Sequence, residues 1–293
     1  MIRSFHHSDF PVELLRERKR ETLTVVLPTR EVADTIGPIV ETLTAMELID
    51  QVLVVDAASD DGSGELARSR GAEVHQESEL VPELGRVMGK GDAMWRALSV
   101  ARGDVVAYLD SDTREFRARF ACGLLGPLVV DGGVEFVKGS FRRPFAGEPG
   151  GRPRGGGRVT ELTARPLFSA FYPELAAFAQ PLAGEVAARR TLFERVPFAC
   201  GYAVETSMLL YVRELVGVAR MAQVDLDERH HHNQPLEQLG PMSYAVLQVI
   251  LERLRREGRL LDDHAPPLQT ADGSLVRVEL VERPPLASLR ASA

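Results

Sequence analysis

The sequence predicts an α/β fold in which a mostly parallel sheet covered by helices is followed by a mainly helical part. Two observations lead to this expectation. Over about the first 145 residues, short apolar runs typical of strands alternate with segments of helical spacing, which indicates a parallel sheet with helices on both faces. After that point, apolar residues recur mostly at helical spacing. We therefore expect a first part, residues 1–145, and a second part, residues 146–293.

The strands of the first part are short and apolar, and turn residues bound the helices between them. A helix within residues 60–71, for example, begins at Asp60 or Ser63 and ends at Gly71. The predicted strands are LTVVLP (23–28), DQVLVVDAAS (50–59), AEVHQ (72–76), DVVAYLDSD (104–112) and VEFVKGSF (134–141), and the predicted helices cover 33–46, 60–71, 89–103 and 116–130.

The second part is expected to contain three helices and little sheet. The last of these helices, SYAVLQVILERLRREGRL, is strongly amphipathic and has a basic end. The predicted helices cover 158–178, 202–217 and 243–260, and strands are expected at the start of 217–236 and within 274–282.

The composition is that of an ordinary globular enzyme, with 44% apolar and 26% charged residues in a chain of 293. The net charge of -7 argues against a general nucleic-acid binder. The two cysteines form no CxxC pattern, which fits a reducing cytoplasm. No apolar run reaches 18 residues, so we expect a cytoplasmic protein without a membrane partner.

The segment AGEPGGRPRGGG (146–157) interrupts the pattern and is half glycine. Such a composition favours a mobile segment. It is either a plain surface linker or a lid that binds anions, because Arg152, Arg154 and Arg158 lie in or beside it.

Two aspartates, Asp110 and Asp112, end the strand that begins at Asp104. Residues two apart on a strand point the same way, so both carboxylates can converge on one divalent cation such as Mg²⁺ or Mn²⁺. The alternative is an acidic strand end with two solvated carboxylates. Pro28 and Asp56 also lie at carboxyl ends of predicted strands, where ligands bind in such sheets, so all four should line one crevice.

Two glycine-flanked cations suggest anion sites. Lys90 lies between glycines at a helix start, and GGGRVT places Arg158 and Thr160 at another. Neither has the spacing of a P-loop. Two separate anion sites would suit a reaction between two phosphorylated molecules.

A histidine triplet, His230–His232, lies in the polar segment ERHHHNQPL. Consecutive side chains in an extended loop diverge, so one imidazole at most is expected to join an aspartate on a metal. The alternative is a plain polar loop. Glu205, an acid in an otherwise apolar helix, is more often a partnered structural residue than a catalytic one.

Taken together, VVLPTRE, VVDAASDDG, GKGDAMWRAL, YLDSD, GRVTEL, PLAGE, GYAVETSML and HHNQPL resemble the retaining GT-A glycosyltransferases that make glucosyl-3-phosphoglycerate and the closely related mannosyl-3-phosphoglycerate synthases. The resemblance covers about residues 20–260. It implies a GT-A fold, in which a Rossmann-like nucleotide-sugar-binding α/β domain (1–145) precedes a mainly helical acceptor-binding and dimerisation part (146–293), and it implies a homodimer.

The resemblance also implies roles for single residues. Asp112 and His231 would bind the metal. The catalytic residues would be Asp112, Glu205, Leu182 and Gly184, with Glu205 and the backbone from Leu182 to Gly184 beside the donor sugar. The nucleotide-sugar would be bound by Pro28, Thr29, Asp56, Ser59, Lys90, Asp110 and Arg229, and the acceptor by Gly157, Arg158, Val159, Thr160 and Asn233. His231 is chosen by counting back from NQPL.

The function implied is transfer of glucose from UDP-glucose, or mannose from GDP-mannose, to the 2-hydroxyl of 3-phosphoglycerate, with Mg²⁺ or Mn²⁺ as cofactor. The product would serve compatible-solute or polysaccharide-precursor synthesis. The alternatives are a sugar-phosphate nucleotidyltransferase and a non-catalytic nucleotide-sugar sensor. PTREVADT lacks the glycine-rich loop of the first, and the second would bind donor without transfer.

Overall fold

An eight-stranded sheet runs through the molecule. The computed structural model describes residues 2–142, 157–229, 236–260, 268–269, 275–276 and 280–290. The strands of this sheet are β1 (Arg3–His6), β2 (Leu23–Thr29), β3 (Gln51–Asp56), β4 (Glu73–Gln76), β5 (Val105–Tyr108), β6 (Phe136–Arg142), β7 (Val186–Arg189) and β9 (Met221–Glu228). They lie side by side in the order β1-β9-β6-β7-β5-β2-β3-β4. Two-residue strands form two small antiparallel pairs, β8 (Phe198–Ala199) with β12 (Glu282–Arg283) and β10 (Leu268–Gln269) with β11 (Leu275–Val276).

The prediction of a mostly parallel sheet is confirmed. Only β7 runs antiparallel to its neighbours β5 and β6, and the remaining strand pairs of this sheet are parallel. Strands from both sides of residue 145 join the sheet, because β7 and β9 complete it.

Helices cover both faces of the sheet. Along β2, Val25 and Leu27 belong to one apolar cluster and Val26 to the other, as expected for a strand buried on both faces. No helix in the described part of the chain is long and apolar enough to cross a membrane. The helices are α1 (Val12–Arg18), α2 (Ala33–Ala45), α3 (Ser63–Ser69), α4 (Lys90–Ala97), α5 (Arg119–Val130), α6 (Arg165–Phe171), α7 (Arg190–Phe193), α8 (Val204–Val216), α9 (Leu236–Arg256) and α10 (Leu286–Arg290).

Several predicted boundaries were wrong for local reasons. The helix expected over 158–178 ends at Phe171, because Pro173 disfavours a helical conformation at the residue before it. That helix also opens with a π-helical turn, Thr160–Ala164. The strand expected to reach residue 112 ends at Tyr108, and α9 begins at Leu236 rather than 243. Two strands of the large sheet, the edge strand β1 and the antiparallel strand β7, were not predicted.

A buried charge cluster fixes α4, the helix that carries Lys90. Asp92, which is fully buried, accepts hydrogen bonds from Arg96 at 3.2 Å and from both Nε and Nη2 of Arg283 at 2.8 Å. Arg96 in turn donates to the carbonyls of Leu80 and Gly85. The segment near the C-terminus therefore holds α4 and the chain leading into it.

We predict that Asp92→Ala lowers the free energy of unfolding by about 3–5 kcal/mol, because it leaves two buried guanidinium groups without their carboxylate. Chemical denaturation of the two proteins measures this difference. Arg102→Ala, which breaks an exposed ion pair with Glu73, is the control and should cost less than about 1 kcal/mol. Equal losses in the two variants would contradict the structural role of Asp92.

Candidate active site

A cleft of 660 Å³ opens at the carboxyl ends of β5, β2 and β3. Pro28 and Thr29 line it from the end of β2, Asp110 and Asp112 from the chain after β5, and Lys90 from the start of α4. Clefts in this position and of this size hold small-molecule ligands in parallel α/β folds.

The turn that carries the two aspartates is tied to the neighbouring strand. The hydroxyl of Ser111 donates to the carbonyl of Pro28 at 2.7 Å, and Thr35 from α2 donates to the carbonyl of Ser111 at the same distance. The chain therefore leaves the ladder of β5 and turns across the end of β2. This turn holds the carboxylates of Asp110 and Asp112 at the cleft.

Arg229, which follows β9, joins three carboxylates. Its Nη1 lies 3.0 Å from Asp110 and 2.5 Å from Glu185, and its Nη2 lies 2.6 Å from Asp112. Its guanidinium carbon lies 5.1 Å from the centre of the Phe141 ring. A single buried cation thus holds acids from two separate segments together. Its charge offsets the repulsion between the two neighbouring aspartates.

Lys90 is the second cation of the site. Its Nζ donates to Asp110 at 2.6 Å and lies 3.3 Å from the carboxylate of Glu205 on α8. Burial alone would raise the pKa of Asp110, but Lys90 and Arg229 outweigh it and hold that pKa well below its usual range. Burial would lower the pKa of Lys90, and the charges of Asp110 and Glu205 raise it instead. Both groups therefore stay charged.

Backbone conformation and close packing explain why glycine stands on both sides of Lys90. Gly89 has φ +85°, a left-handed conformation that favours glycine. A Cβ on Gly91 would lie 2.0 Å from the carbonyl oxygen of Ala199. The GKG pattern thus lets α4 begin against the loop before α8 with Lys90 directed at Asp110.

A backbone strip, residues 182–185, forms the wall beside these charges. Gly184 is buried, and a Cβ there would lie 2.4 Å from both Asp110 Oδ1 and Lys90 Nζ. Leu182 is half-buried against the apolar core. A Cβ at this position would therefore displace the carboxylate of Asp110 and the ammonium of Lys90.

Two residues of the site were missed by sequence reasoning. Glu185 lay in the PLAGE segment but was not singled out, although it is 1% exposed and bound to Arg229. Lys138 lies in the middle of β6, is 1% exposed, and donates to the carbonyl of Ala183 at 2.5 Å. Burial lowers the pKa of Lys138 to about 8, against Glu205 and Glu185, which raise it. A lysine inside the apolar run VEFVKGSF was the signal available in the sequence.

The other end of the cleft lies at β3. Asp56, 2% exposed, accepts from the Ser59 hydroxyl at 2.6 Å and from Gln76 at 2.9 Å. Ser59 in turn accepts from the backbone of Glu31 at 3.0 Å. Asp56 and Ser59 therefore form a hydrogen-bonded pair two strands away from Asp110. Of the four residues expected to line one crevice, Pro28, Asp110 and Asp112 line the cleft and Asp56 does not.

The predicted acceptor residues begin the helical segment of the second part. Gly157 has φ +81°, and its carbonyl accepts from the backbone of Glu161. Arg158 and Val159 follow, and Thr160 begins the π-helical turn and is buried. They are not among the residues that line the cleft described above. His231, with its neighbours His230 and His232, and Asn233 lie outside the described residues, as do positions 146–156 of the glycine-rich segment.

A second group of metal-type ligands lies at the far edge of the sheet. His6 and His7 lie 3.3 and 2.6 Å from the carboxylate of Asp227, and their ligand atoms are within 4.8 Å of one another. Arg142 lies 3.4 Å from the same carboxylate. The contacts of Asp227 with His6, His7 and Arg142 account for the arrangement as a partly exposed polar cluster.

Comparison with known proteins places this geometry in a family. The sequence model of glycosyl transferase family 2 matches residues 24–147. Glucosyl-3-phosphoglycerate synthase of Petrotoga mobilis is 38% identical, over 98% of this chain and 94% of that protein.

Solved structures agree over nearly the whole chain. Mannosyl-3-phosphoglycerate synthase from Rubrobacter xylanophilus has a TM-score of 0.89 and is 50% identical, covering 98% of this chain and 97% of that one. Glucosyl-3-phosphoglycerate synthase from Mycobacterium tuberculosis, in complex with Mn²⁺, UDP-glucose and phosphoglyceric acid, has a TM-score of 0.87 and is 35% identical, covering 99% of each chain.

We predict that the buried Lys138 makes the free energy of unfolding increase with pH in alkaline solution. The pKa of Lys138 in the folded protein, about 8, lies below the ordinary 10.5. At pH values between these two, Lys138 is protonated in the unfolded chain and neutral in the folded one. Stability due to Lys138 therefore rises with pH across this window. The unfolding free energy of the wild type, minus that of Lys138→Met, should increase by about 3 kcal/mol.

Denaturant unfolding at several pH values between 7 and 11 measures this difference. Ser140→Ala, two residues along the same strand, removes no titrating group, and its difference from the wild type should stay constant. If the difference in unfolding free energy between the wild type and Lys138→Met also stays constant with pH, Lys138 titrates like a solvated lysine.

Proposed function

We infer the reaction from one premise, that the chain belongs to the glucosyl-3-phosphoglycerate synthase family. It is a metal-dependent retaining glycosyltransferase that transfers a hexose from a nucleotide-sugar to the 2-hydroxyl of 3-phosphoglycerate. The observation that carries this conclusion is the pair Asp110 and Asp112, held by Lys90 and Arg229 beside a cleft at the carboxyl ends of the strands.

Asp112 fits the role of a ligand to Mg²⁺ or Mn²⁺. Its side chain is 53% exposed at the cleft, and only one of its oxygens, Oδ1, bonds Arg229. A hard carboxylate oxygen is the ligand that these cations prefer. His231 is the proposed second ligand. When bound, the cation supplies charge stabilisation for the departing diphosphate.

The order of the strands suggests how the donor lies. With the diphosphate beside Asp112, Lys90 and Arg229, the nucleoside extends across the end of β2 toward β3. Pro28, Thr29, Asp56 and Ser59 would then contact the base and ribose. The hexose would lie beside Glu205 and the strip that contains Leu182 and Gly184.

Two donors remain proposals, UDP-glucose and GDP-mannose. The Mycobacterium tuberculosis relative is known with UDP-glucose, and the Rubrobacter xylanophilus relative is a mannosyl-3-phosphoglycerate synthase. The described side chains of the cleft do not distinguish the two donors, so the activity assay should include both.

For the acceptor we propose the start of the helical segment. Gly157, Arg158, Val159 and Thr160 would bind the phosphate of 3-phosphoglycerate through a guanidinium, a hydroxyl and backbone N–H groups. The π-helical turn at Thr160 supports this role, since such turns are frequent at functional sites. Asn233 is a further proposed acceptor contact.

The chain's own groups act by position and charge. Asp110 is a weak base because Lys90 and Arg229 hold its pKa well below its usual range, and Glu205 is engaged by Lys90. Retention then needs no side-chain nucleophile: the departing diphosphate accepts the proton of the acceptor hydroxyl on the same face of the sugar. The protein holds the two substrates so that the acceptor hydroxyl approaches the sugar on the face from which the diphosphate departs.

Three wider properties are also proposals. We propose a homodimer, a cytoplasmic location, and a functional division into a nucleotide-sugar part (1–145) and an acceptor and dimerisation part (146–293). The free cysteines Cys122 and Cys200 are compatible with a reducing compartment. Sedimentation of the purified chain tests the dimer.

We predict that the wild type with Mn²⁺ and 3-phosphoglycerate converts UDP-glucose or GDP-mannose into an α-linked hexosyl-3-phosphoglycerate. Mass spectrometry and the anomeric NMR signal identify the product, and a chelator should abolish it. Asp112→Asn should lower kcat by on the order of 100-fold, because the charge of the departing diphosphate is less well stabilised.

Asp34→Asn is the matched control, because Asp34 is an exposed carboxylate on α2 that pairs with the exposed Arg114. Its activity should equal that of the wild type. Donor binding without any hexosyl product would support a nucleotide-sugar sensor instead, and full activity after metal removal would refute the metal-dependent mechanism.

A further inference from the structure

We propose that Lys138 is a positioning residue, which holds the backbone strip of residues 182–185 in place against the donor sugar. This inference rests on the proposed function, because it assigns the strip to the sugar end of the donor site. Nothing in the family comparison assigns a role to Lys138, and it lies behind the strip rather than in the cleft lining.

The strip is tied to β6 at two points. The Nζ of Lys138 donates to the carbonyl of Ala183 at 2.5 Å, and the backbone N–H of Gly139 donates to the carbonyl of Glu185 at 2.9 Å. The strip ends where β7 begins, at Val186, the residue that pairs with Lys138 in the sheet. Between the two bonds lies Gly184, whose position is therefore set from β6.

The bond to Ala183 has no evident substitute. Ala183 is fully buried, so water cannot replace a lost donor without rearrangement, and an unsatisfied buried carbonyl is costly. Without Lys138, the strip can satisfy this carbonyl only by moving. The lysine thus selects one conformation of the strip.

Movement of the strip would reach the charged groups directly. A Cβ on Gly184 would lie only 2.4 Å from Asp110 Oδ1 and Lys90 Nζ, so the backbone there already packs closely against this pair. A shift of a few tenths of an ångström toward the cleft would displace the pair, and a shift away would open a gap beside the sugar.

Lys138 also completes the charge balance of the site. Four carboxylates, from Asp110, Asp112, Glu185 and Glu205, meet three cations, from Lys90, Lys138 and Arg229. Glu205 and Glu185 both raise the pKa of Lys138, which shows that its charge is coupled to theirs. Its removal would take a positive charge away from Glu205 and Glu185 at the sugar end of the site, while Lys90 and Arg229 stay beside the diphosphate.

A purely structural role fits Lys138 poorly. An ammonium buried in a strand costs stability, as its pKa of about 8 indicates, and an apolar side chain of similar length would fill the same space at less cost. Local features that work against stability are expected at functional sites.

The test compares Lys138→Met with the wild type in three measurements. We expect kcat for hexose transfer to fall by on the order of 100-fold, the loss typical of misplacing a reacting group by about 1 Å. The affinity for the Mn²⁺ complex of the nucleoside diphosphate should change less than about 3-fold, because Lys90 and Asp112 remain. The thermal unfolding midpoint should stay close to that of the wild type, because removal of the buried ammonium offsets the cost of the unsatisfied carbonyl of Ala183.

Ser140→Ala is the matched control, since Ser140 lies on the same face of β6 and bonds the carbonyl of Val224 instead of the strip. It should leave all three values unchanged. Lys138→Gln, which keeps a shorter neutral donor, should show a smaller loss of kcat than Lys138→Met and serves if the latter does not fold.

The activity of the wild type tests the proposed function separately from the role of Lys138. A wild type that transfers no hexose would refute the proposed function. An active wild type with equally active Lys138→Met and Lys138→Gln would overturn only the role of Lys138. The same applies if kcat falls only in proportion to lost folded protein, or if Ser140→Ala loses as much activity.

Discussion

The guanidinium of Arg229 is the interaction on which the site depends. It binds Asp110 and Asp112, which leave the sheet after β5, and Glu185, which enters it before β7. These strands lie side by side in the middle of the sheet, and Arg229 arrives from β9. One cation therefore joins three chain segments at their ends, and the acids that serve the donor can stay ionised and close together.

The remaining charges extend this arrangement toward the sugar. Lys90 joins Asp110 to Glu205, and Lys138 supports the strip behind them. Because these groups are fixed by the fold before substrate arrives, little reorganisation is needed when charge develops on the departing diphosphate. Burying so many charges costs folding free energy. The cluster of Asp92, Arg96 and Arg283 holds α4 in position, and α4 in turn positions Lys90.

Local pattern revealed the parallel sheet and the two aspartates, because both depend on residues that are neighbours in sequence. The ion pairs of those aspartates could not be predicted from local pattern, since the bond from Arg229 to Asp110 spans 119 residues, and the resemblance placed Arg229 only near the phosphates. Lys138, within β6, and Glu185, just before β7, were missed because a buried charge beside apolar residues resembles an ordinary surface residue until its long-range partner is known. The edge strand β1 lacks apolar periodicity, and the early end of α6 follows from Pro173, which was available in the sequence.

The central claim is that the strip, Asp110 and Lys90 form one closely packed unit in which the donor is positioned. The most direct measurement is kcat/KM for hexose transfer by Gly184→Ala, which adds a methyl group 2.4 Å from Asp110 Oδ1 and Lys90 Nζ. Gly132→Ala, where a Cβ meets nothing within 4 Å, is the control. The account predicts a loss of at least about 100-fold in Gly184→Ala and none in Gly132→Ala. Wild-type activity in Gly184→Ala would contradict it.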